Sequence, residues 1–329
     1  FVEVFGPETA PVLMDVEGGG VKVRVKEGQR SSSHYDHTIA GLAEVGTPLD
    51  FPVRTATQDT TFRALIEQSL RDFSLNQWEY EWSALTYTLL LPGAPGSKSS
   101  EADPLHWISQ EGQRIDFDLL SDRIMRQEVP LGVCAANHRM HALVMMLRVD
   151  DEQKIFSPEG RQRVIEYLQG ITQVLIKNQH PDGYWTMNWP AGVGVEPEST
   201  STELAPLAGR ILATGHPLEW WSLAPSEVHP PRHVLASAGQ WLSNAILNLT
   251  DEQIEEYYTF LTHAGRALTL WRGHFPSEIA LGEIPPAAPA AVDADDGVDA
   301  AAEADEAAAR PSEPSPAVDD AAPTATPAP

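Results

Sequence analysis

The chain has 329 residues, with 47 acidic and 22 basic side chains, and a formal net charge of −25 at pH 7. Phosphate backbones and anionic membrane surfaces bind proteins rich in lysine and arginine, so this balance excludes nucleic acid as a partner. The single cysteine, Cys134, excludes an intrachain disulfide. The sequence has no run of about 18 apolar residues, and we therefore expect no transmembrane helix.

The acidic residues are concentrated at the C-terminal end. Residues 281–329 contain 11 acidic residues, one basic residue, 17 alanines and nine prolines, and every aromatic residue lies earlier in the chain. Such a segment has too little apolar surface to offset the entropy lost on ordering. We therefore expect an entry segment at 1–55, a folded domain at 56–280 and a disordered acidic tail at 281–329.

The first residue is Phe1 rather than methionine, which predicts that a leader, an anchor or another region precedes it. On this basis we expect an extracytoplasmic or envelope-associated protein, with envelope proteins as candidate partners. The sequence does not determine an oligomeric state.

The entry segment alternates apolar and basic residues at 21–26, which predicts a half-exposed strand. After residue 56 we expect no strands, because apolar residues recur at helical spacing. The helical patterns lie at 62–73, 78–89, 116–126, 136–149, 159–178, 201–214, 217–224, 232–249 and 251–271. Successive helices joined by short glycine and proline turns predict an all-α core of helical hairpins.

The most informative motif follows the helical pattern at 159–178 and reads Gln-His-Pro-Asp-Gly-Tyr-Trp over residues 179–185. Pro-Asp-Gly favours a turn in which Gly183 adopts a positive φ, and Gln179 and Trp185 can fasten the helix end. The motif resembles the Gln-x-x-x-Gly-x-Trp signature of the α/α-toroid superfamily, which includes terpene cyclases and protein prenyltransferases. This resemblance implies an α/α toroid, a barrel of helical hairpins around a central cavity, with the signature as a stabilising element.

Motifs similar to those that carry terpene cyclase chemistry occur only in the predicted tail. Residues 293–296 read Asp-Ala-Asp-Asp, and residues 295–299 read Asp-Asp-Gly-Val-Asp. A disordered segment has neither the apolar surroundings that raise a carboxyl pKa nor a fixed helix face that holds a metal. We interpret both matches as accidental, and terpene cyclase is not the predicted function.

Three separate segments carry histidines that the inner helices of a toroid can direct into one cavity. His216 lies between Gly215, which can end one helix, and Pro217, which can begin another. Glu219 then has the position of a capping-box partner, so one interpretation of the pair is a helix cap. The other interpretation makes His216 and Glu219 an acid/base pair that faces the cavity.

The predicted function is binding or processing of a carbohydrate-like or polymeric ligand, or of another small molecule, and a non-catalytic envelope scaffold is the alternative. Fold analogy does not assign a reaction, so the sequence leaves open whether the protein is an enzyme. Tryptophan beside histidine or glutamate suits stacking on a sugar. The candidate catalytic residues are His216, Glu219, His138 and His263, and the candidate ligand-binding residues are Arg139, Trp220, Trp185 and Arg266.

A zinc-dependent toroid enzyme is a further alternative. Cys134, His138 and His141 share one helix face if the helix extends back far enough, and His216 or His263 can complete the ligand set. Single cysteines and histidines are more often buried core residues, so we assign no metal ligands and no cofactor. In the entry segment, His34 and His37 flank Asp36; a ligand cluster is one interpretation of that stretch, 34–37, and a solvated loop is the one that we favour.

The sequence contains no serine nucleophile elbow, no phosphate-binding glycine loop and no His-Glu-x-x-His helix. The segments around His138, the Pro-Asp-Gly turn and the Gly-His-x-Leu-Glu-Trp stretch together resemble a family of bacterial envelope-associated toroid proteins. That resemblance spans about residues 55–272 and implies the same fold, without an established reaction.

Overall fold

The computed structural model describes residues 12–25, 34–77, 79–92, 105–131, 134, 136–196, 206–275 and 278. These residues belong to one compact unit, Phe1–Glu283, and are mostly helical, which confirms the predicted all-α class. The predicted tail at 281–329, with both cyclase-like motifs, lies outside the described residues. Within the described ranges, no helix has the length and apolar character needed to cross a membrane.

Ten α-helices make up most of the described part of the chain. They are α1 (His37–Glu44), α2 (Phe62–Asp72), α3 (Glu81–Leu90), α4 (Phe117–Met125), α5 (Asn137–Gln153), α6 (Pro158–Asn178), α7 (Pro206–Leu223), α8 (Arg232–Leu247), α9 (Asp251–Glu256) and α10 (Tyr258–Leu270). Helices α3 to α8 and α10 surround one large apolar core that contains four fully buried tryptophans. Burial of this apolar surface is the main favourable term in the stability of the fold.

Among the residues that the structure describes, six short strands form three separate antiparallel hairpins. These pairs are β1 (Leu13–Val16) with β2 (Gly20–Val23), β3 (Pro52–Arg54) with β4 (Asp59–Thr61), and β5 (His106–Ile108) with β6 (Arg114–Asp116). The prediction of no strands after residue 56 is wrong for β4, β5 and β6. Each of these strands has only three residues, too few for an alternating pattern to stand out from the surrounding polar sequence.

Helix α7 is continuous through Pro217, so the prediction that one helix ends at Gly215 and another begins at Pro217 is wrong. Proline removes one backbone hydrogen bond from a helix interior, which normally kinks or breaks the helix. Here α7 packs closely on α10: a Cβ added at Gly215 would lie 3.1 Å from the Cα of Ala264. This packing outweighs the lost hydrogen bond, and it places His216 inside a helix, where it cannot cap one.

The predicted helix at 251–271 is divided in two at Tyr257. Helix α9 ends there and α10 begins with the next residue, while a capping box of Thr250 and Gln253 starts α9 as the sequence pattern indicates.

The residues at 179–185, which we call the Gln179 turn, end α6 with every anchoring bond in place. Gly183 has a φ of 104°, and the Gln179 side-chain amide donates to the carbonyl groups of Gly183 and Val234, at 3.0 Å each. The indole nitrogen of Trp185 donates to the carbonyl group of Leu175 at 2.9 Å. The turn therefore fastens the end of α6 to the start of α8.

Candidate functional site

A small cavity lies between α1, α3, α5, α7 and α10, and all of these helices except α3 contribute residues spaced three, four or seven apart. Such spacing puts them on one face of each helix. The cavity has a volume of about 90 Å³ and is called the histidine cavity below. It is lined by His37, Gly41, Glu44, Trp82, Asn137, His138, His141, His216, Glu219, His263 and Arg266.

Three histidine rings from three different helices lie side by side in this cavity. The ring centroids of His216 and His263 are 4.0 Å apart, and those of His138 lie 4.7 Å from His216 and 5.6 Å from His263. The four candidate catalytic residues, with Arg266, therefore line one cavity. Their individual roles stay predictions.

The Glu219 carboxylate connects the groups around it. Its Oε2 atom accepts a hydrogen bond from Nδ1 of His263 at 3.0 Å and lies 3.5 Å from Nδ1 of His216. Its Oε1 atom accepts from the Arg266 guanidinium at 2.9 Å. Burial alone would raise the pKa of the Glu219 carboxyl, but its contacts with His216 and His263 outweigh that effect and lower the pKa well below its ordinary value. Glu219 is therefore a fixed negative charge that orients two imidazoles.

A second carboxylate, Glu44 of α1, completes the charged network. Its Oε1 atom accepts from Arg266 at 2.9 Å and from Nε2 of His141 at 2.8 Å. Burial alone would raise the pKa of Glu44, but these two partners outweigh that effect and lower the pKa to about 2. Arg266 thus bridges two carboxylates, and its own pKa is raised because Glu219 and Glu44 outweigh its burial.

Two of the cavity histidines are held in the neutral form at pH 7. Burial lowers the pKa of His216 to about 4. Repulsion from His263 adds to this shift, and the Glu219 carboxylate opposes it. Burial and the neighbouring imidazoles lower the pKa of His138 well below its ordinary value of 6.5. A neutral imidazole carries one lone pair, so each of these rings can accept a proton or bind a ligand.

Several buried polar atoms of this cavity have no hydrogen-bond partner within the part of the chain that the structure describes. They are Nε2 of His216, Nδ1 of His141 and the indole nitrogen of Trp82. Buried polar groups in folded proteins are nearly always paired, so unpaired ones need an explanation, such as a ligand or an ion. His216 is the clearest case because its side chain is only 3% exposed and its other nitrogen faces Glu219.

The other three candidate ligand-binding residues, Arg139, Trp220 and Trp185, do not line this cavity. Trp185 is 1% exposed and belongs to the Gln179 turn, while the indole of Trp220 donates to the Asn137 side chain at 3.1 Å from within the core. Arg139 donates to the carbonyl group of Glu128. All three side chains are buried against protein, so their surroundings favour structural roles.

The interpretation of residues 34–37 as a solvated loop holds only in part: residues 34–36 form a turn and Tyr35 and His37 are exposed, but the stretch is also attached to the fold. The Asp36 carboxylate accepts hydrogen bonds from the hydroxyl groups of Ser69 and Ser83, which attaches this stretch to α2 and α3. Directly after it, His37 begins α1, and its ring centroid lies 4.3 Å from that of Trp82. The serines follow Asp36 by 33 and 47 residues, so no local pattern in the sequence signals the attachment.

Two sets of candidate metal ligands occur among the described residues: Cys134, His138 and His216, and His216, Glu219 and His263. In each set the candidate ligand atoms all lie within 4.8 Å of one another. The zinc alternative put His141 beside Cys134 and His138, and that part is wrong. His141 instead donates to Glu44, which turns its ring toward α1.

Sequence reasoning missed Glu44, Asn137 and Trp82 as lining residues. The heptad spacing of His37 and Glu44 on α1 is a usable signal, because it puts both on one helix face. No feature of the sequence pairs Trp82 with the histidines.

Comparison with known proteins provides no family assignment: no protein-family model, no curated protein and no solved structure matches the chain. The residues of the histidine cavity are therefore the basis on which a function can be proposed.

Proposed function

We propose that the histidine cavity is an acid/base site at which imidazoles move protons to and from a small polar group of a carbohydrate-like ligand. The observation that carries the proposal is how the two ring nitrogens of His216 are paired. Its Nδ1 atom faces the Glu219 carboxylate at 3.5 Å, and its buried Nε2 atom has no partner among the described residues. A base oriented by a carboxylate and left unpaired on its reactive side is the geometry of general base catalysis.

Proton transfer fits the lining better than covalent catalysis does. Among the described residues that line the cavity, none is a serine, threonine, tyrosine or lysine. The nearby thiol of Cys134 is a poor nucleophile, because burial and the negative charge of Glu219 raise its pKa to about 12. Imidazoles and carboxylates remain, and their shared chemistry is proton transfer.

In the proposed mechanism, Nε2 of His216 takes a proton from the ligand, and the imidazolium that forms returns a proton at a second ligand atom. Glu219 stabilises the positive charge that develops on His216, as a fixed carboxylate does for an imidazolium. Arg266 keeps Glu219 ionised and in place. No proton is gained or lost over the whole cycle.

The cavity volume limits the ligand. Pockets that enclose a complete drug-sized ligand measure about 300–1,000 Å³, whereas this cavity measures about 90 Å³. In this proposal, only the reacting end of a sugar enters the histidine cavity, such as a carbonyl group or one hydroxyl with its carbon. The Asn137 side chain and the imidazoles supply hydrogen bonds suited to such a group.

We also propose that the helices form an α/α toroid around this cavity. The support is that α1, α5, α7 and α10, which are far apart in sequence, direct side chains into one space. The Gln179 turn, with its Gln-x-x-x-Gly-x-Trp spacing, is consistent with that architecture.

The test uses proton exchange, which can be followed without identifying the product of the reaction. A panel of free reducing sugars is incubated with the full chain in D₂O, and proton NMR follows the loss of the C–H signal next to the carbonyl. We expect exchange above the buffer rate with at least one sugar, and a decrease of at least about 100-fold in His216→Gln.

The control variant is His233→Gln, which replaces an exposed histidine on α8 and should leave the exchange rate unchanged. Equal rates for His216→Gln and the unmodified chain would contradict the role of His216. Exchange no faster than in buffer for every sugar in the panel would contradict the carbohydrate assignment.

A further inference from the structure

We infer that Cys134, His138 and His216 form a binding site for one zinc ion. This site goes beyond the proposed acid/base function and does not depend on it. The Cys134 sulfur and one nitrogen of each imidazole all lie within 4.8 Å of one another. Ligand atoms on a tetrahedral zinc ion are about 3.3–3.8 Å apart, so each pair needs to approach by no more than about 1.5 Å.

The second observation is independent of this clustering. The His216 side chain is 3% exposed, and its Nε2 atom has no hydrogen-bond partner among the described residues. Its Nδ1 atom faces the Glu219 carboxylate, the arrangement in which zinc-bound histidines are usually held. Glu219 is itself fixed by Arg266 and His263. The outer groups that orient a metal-bound imidazole are therefore already in place.

The backbone also prepares the cysteine for this role. Cys134 has a φ of 51°, and Asn137, the first residue of α5, donates its side-chain amide to the Cys134 carbonyl group at 2.9 Å. The Cys134 sulfur lies within 4.8 Å of the candidate nitrogen of His138, and Cys134 is half-buried rather than enclosed in the core.

The donor atoms select the metal. One sulfur and two imidazole nitrogens favour zinc over magnesium or calcium, which prefer oxygen ligands. When the ion binds, the Cys134 thiol loses its proton to solvent and a zinc–sulfur bond forms. Three protein ligands leave a fourth position for a water molecule beside His263.

The ion would occupy the His216 lone pair that the proposed acid/base reaction uses, so the two proposals have separable consequences. Cys134→Ser should weaken metal binding and leave sugar proton exchange intact, whereas His216→Gln should affect both. Loss of exchange in Cys134→Ser would contradict the independence of the two proposals.

The main experiment titrates cobalt(II), a spectroscopic substitute for zinc, into the metal-free full chain. We expect one equivalent to bind, with a near-ultraviolet sulfur-to-cobalt charge-transfer band that zinc removes by displacement. In Cys134→Ser that band should disappear and the affinity should fall at least about 10-fold. The control His233→Gln should bind as the unmodified chain does.

A second measurement needs no variant, because Cys134 is the only cysteine in the chain. Zinc should slow alkylation of this thiol at least about 10-fold, and a chelator should restore the original rate. Equal alkylation rates with and without zinc, or cobalt binding without a charge-transfer band, would overturn the site.

Discussion

The Gln179 turn and the histidine cavity are both built from polar side chains, and they differ in how completely those side chains are paired. In the turn, the Gln179 amide reaches two carbonyl groups and the Trp185 indole reaches a third. In the cavity, Nε2 of His216 and Nδ1 of His141 have no partner among the described residues. Complete pairing suits a structural role, whereas an unpaired buried nitrogen of a residue that lines a cavity suits the binding of a ligand or an ion.

The two regions also differ in charge. The anchoring bonds of the turn join neutral groups, whereas those of the cavity join two carboxylates to Arg266 and to histidines. Neutral hydrogen bonds do not change strength between pH 7 and pH 3, while ionic ones do. Stability and its dependence on pH therefore separate the two regions experimentally.

The largest effect is expected in the turn, for Gly183→Ala. The φ of 104° disfavours any side chain, and an added Cβ would lie 2.4 Å from the Ser237 carbonyl oxygen. We expect a loss of about 3 kcal/mol in the free energy of unfolding, measured by urea denaturation. The control Gly170→Ala, on the exposed side of α6, should raise stability by roughly 0.5–1 kcal/mol. A Gly183→Ala chain as stable as the unmodified one would contradict a structural role for the turn.

An intermediate, pH-dependent effect is expected for Glu44→Gln. The folded-state pKa of Glu44, about 2, lies below its ordinary value of 4.5. Its ionisation therefore stabilises the fold above about pH 4.5, and this contribution is lost as the pH falls toward 2. Because Glu44 retains some solvent exposure, we expect a difference of roughly 2 kcal/mol from the unmodified chain at pH 7.

Urea denaturation between pH 7 and pH 3 measures this difference. Glu67→Gln, on an exposed position of α2, is the matched control and should show no such change. The Gly183→Ala difference should stay constant over the same range. A Glu44→Gln difference that is equally constant would show that the cavity, like the turn, is held mainly by neutral interactions.

The smallest effect on stability is expected for His216→Gln. The substitution removes a 3.5 Å contact with Glu219 and a nitrogen that has no described partner, so we expect a loss below about 1 kcal/mol. Gln179→Leu is the comparison, because it deprives two carbonyl groups of their donor; about 2 kcal/mol is expected there. Equal losses in the two variants, measured by urea denaturation, would remove the distinction between turn and cavity.

Local patterns predicted much of this molecule. Apolar residues at helical spacing predicted most helices, and the Pro-Asp-Gly motif predicted the turn and the positive φ of Gly183. Spacings of three residues put His216 with Glu219 and His263 with Arg266. These features depend on neighbours within one or two helical turns, which is the range over which a single sequence is informative.

The features that sequence reasoning missed depend on contacts between distant parts of the chain. Helix α7 continues through Pro217 because α10 packs on it at Gly215. Glu44 joins the site through Arg266, and residues 34–37 are attached through Ser69 and Ser83. In each case contacts between distant residues decide the structure, and the sequence near these residues contains no pattern that predicts those contacts.

The bond from Arg266 to Glu44 joins residues 222 positions apart, and it has a consequence for biosynthesis. Proteins are made from the N-terminus, so the residues of the early helices and of the Gln179 turn are translated before α10. Until then His263 and Arg266 are missing, and Glu219 and Glu44 lack the guanidinium that bridges them. A chain interrupted before α10 therefore lacks part of the charged network and also the packing that carries α7 through Pro217.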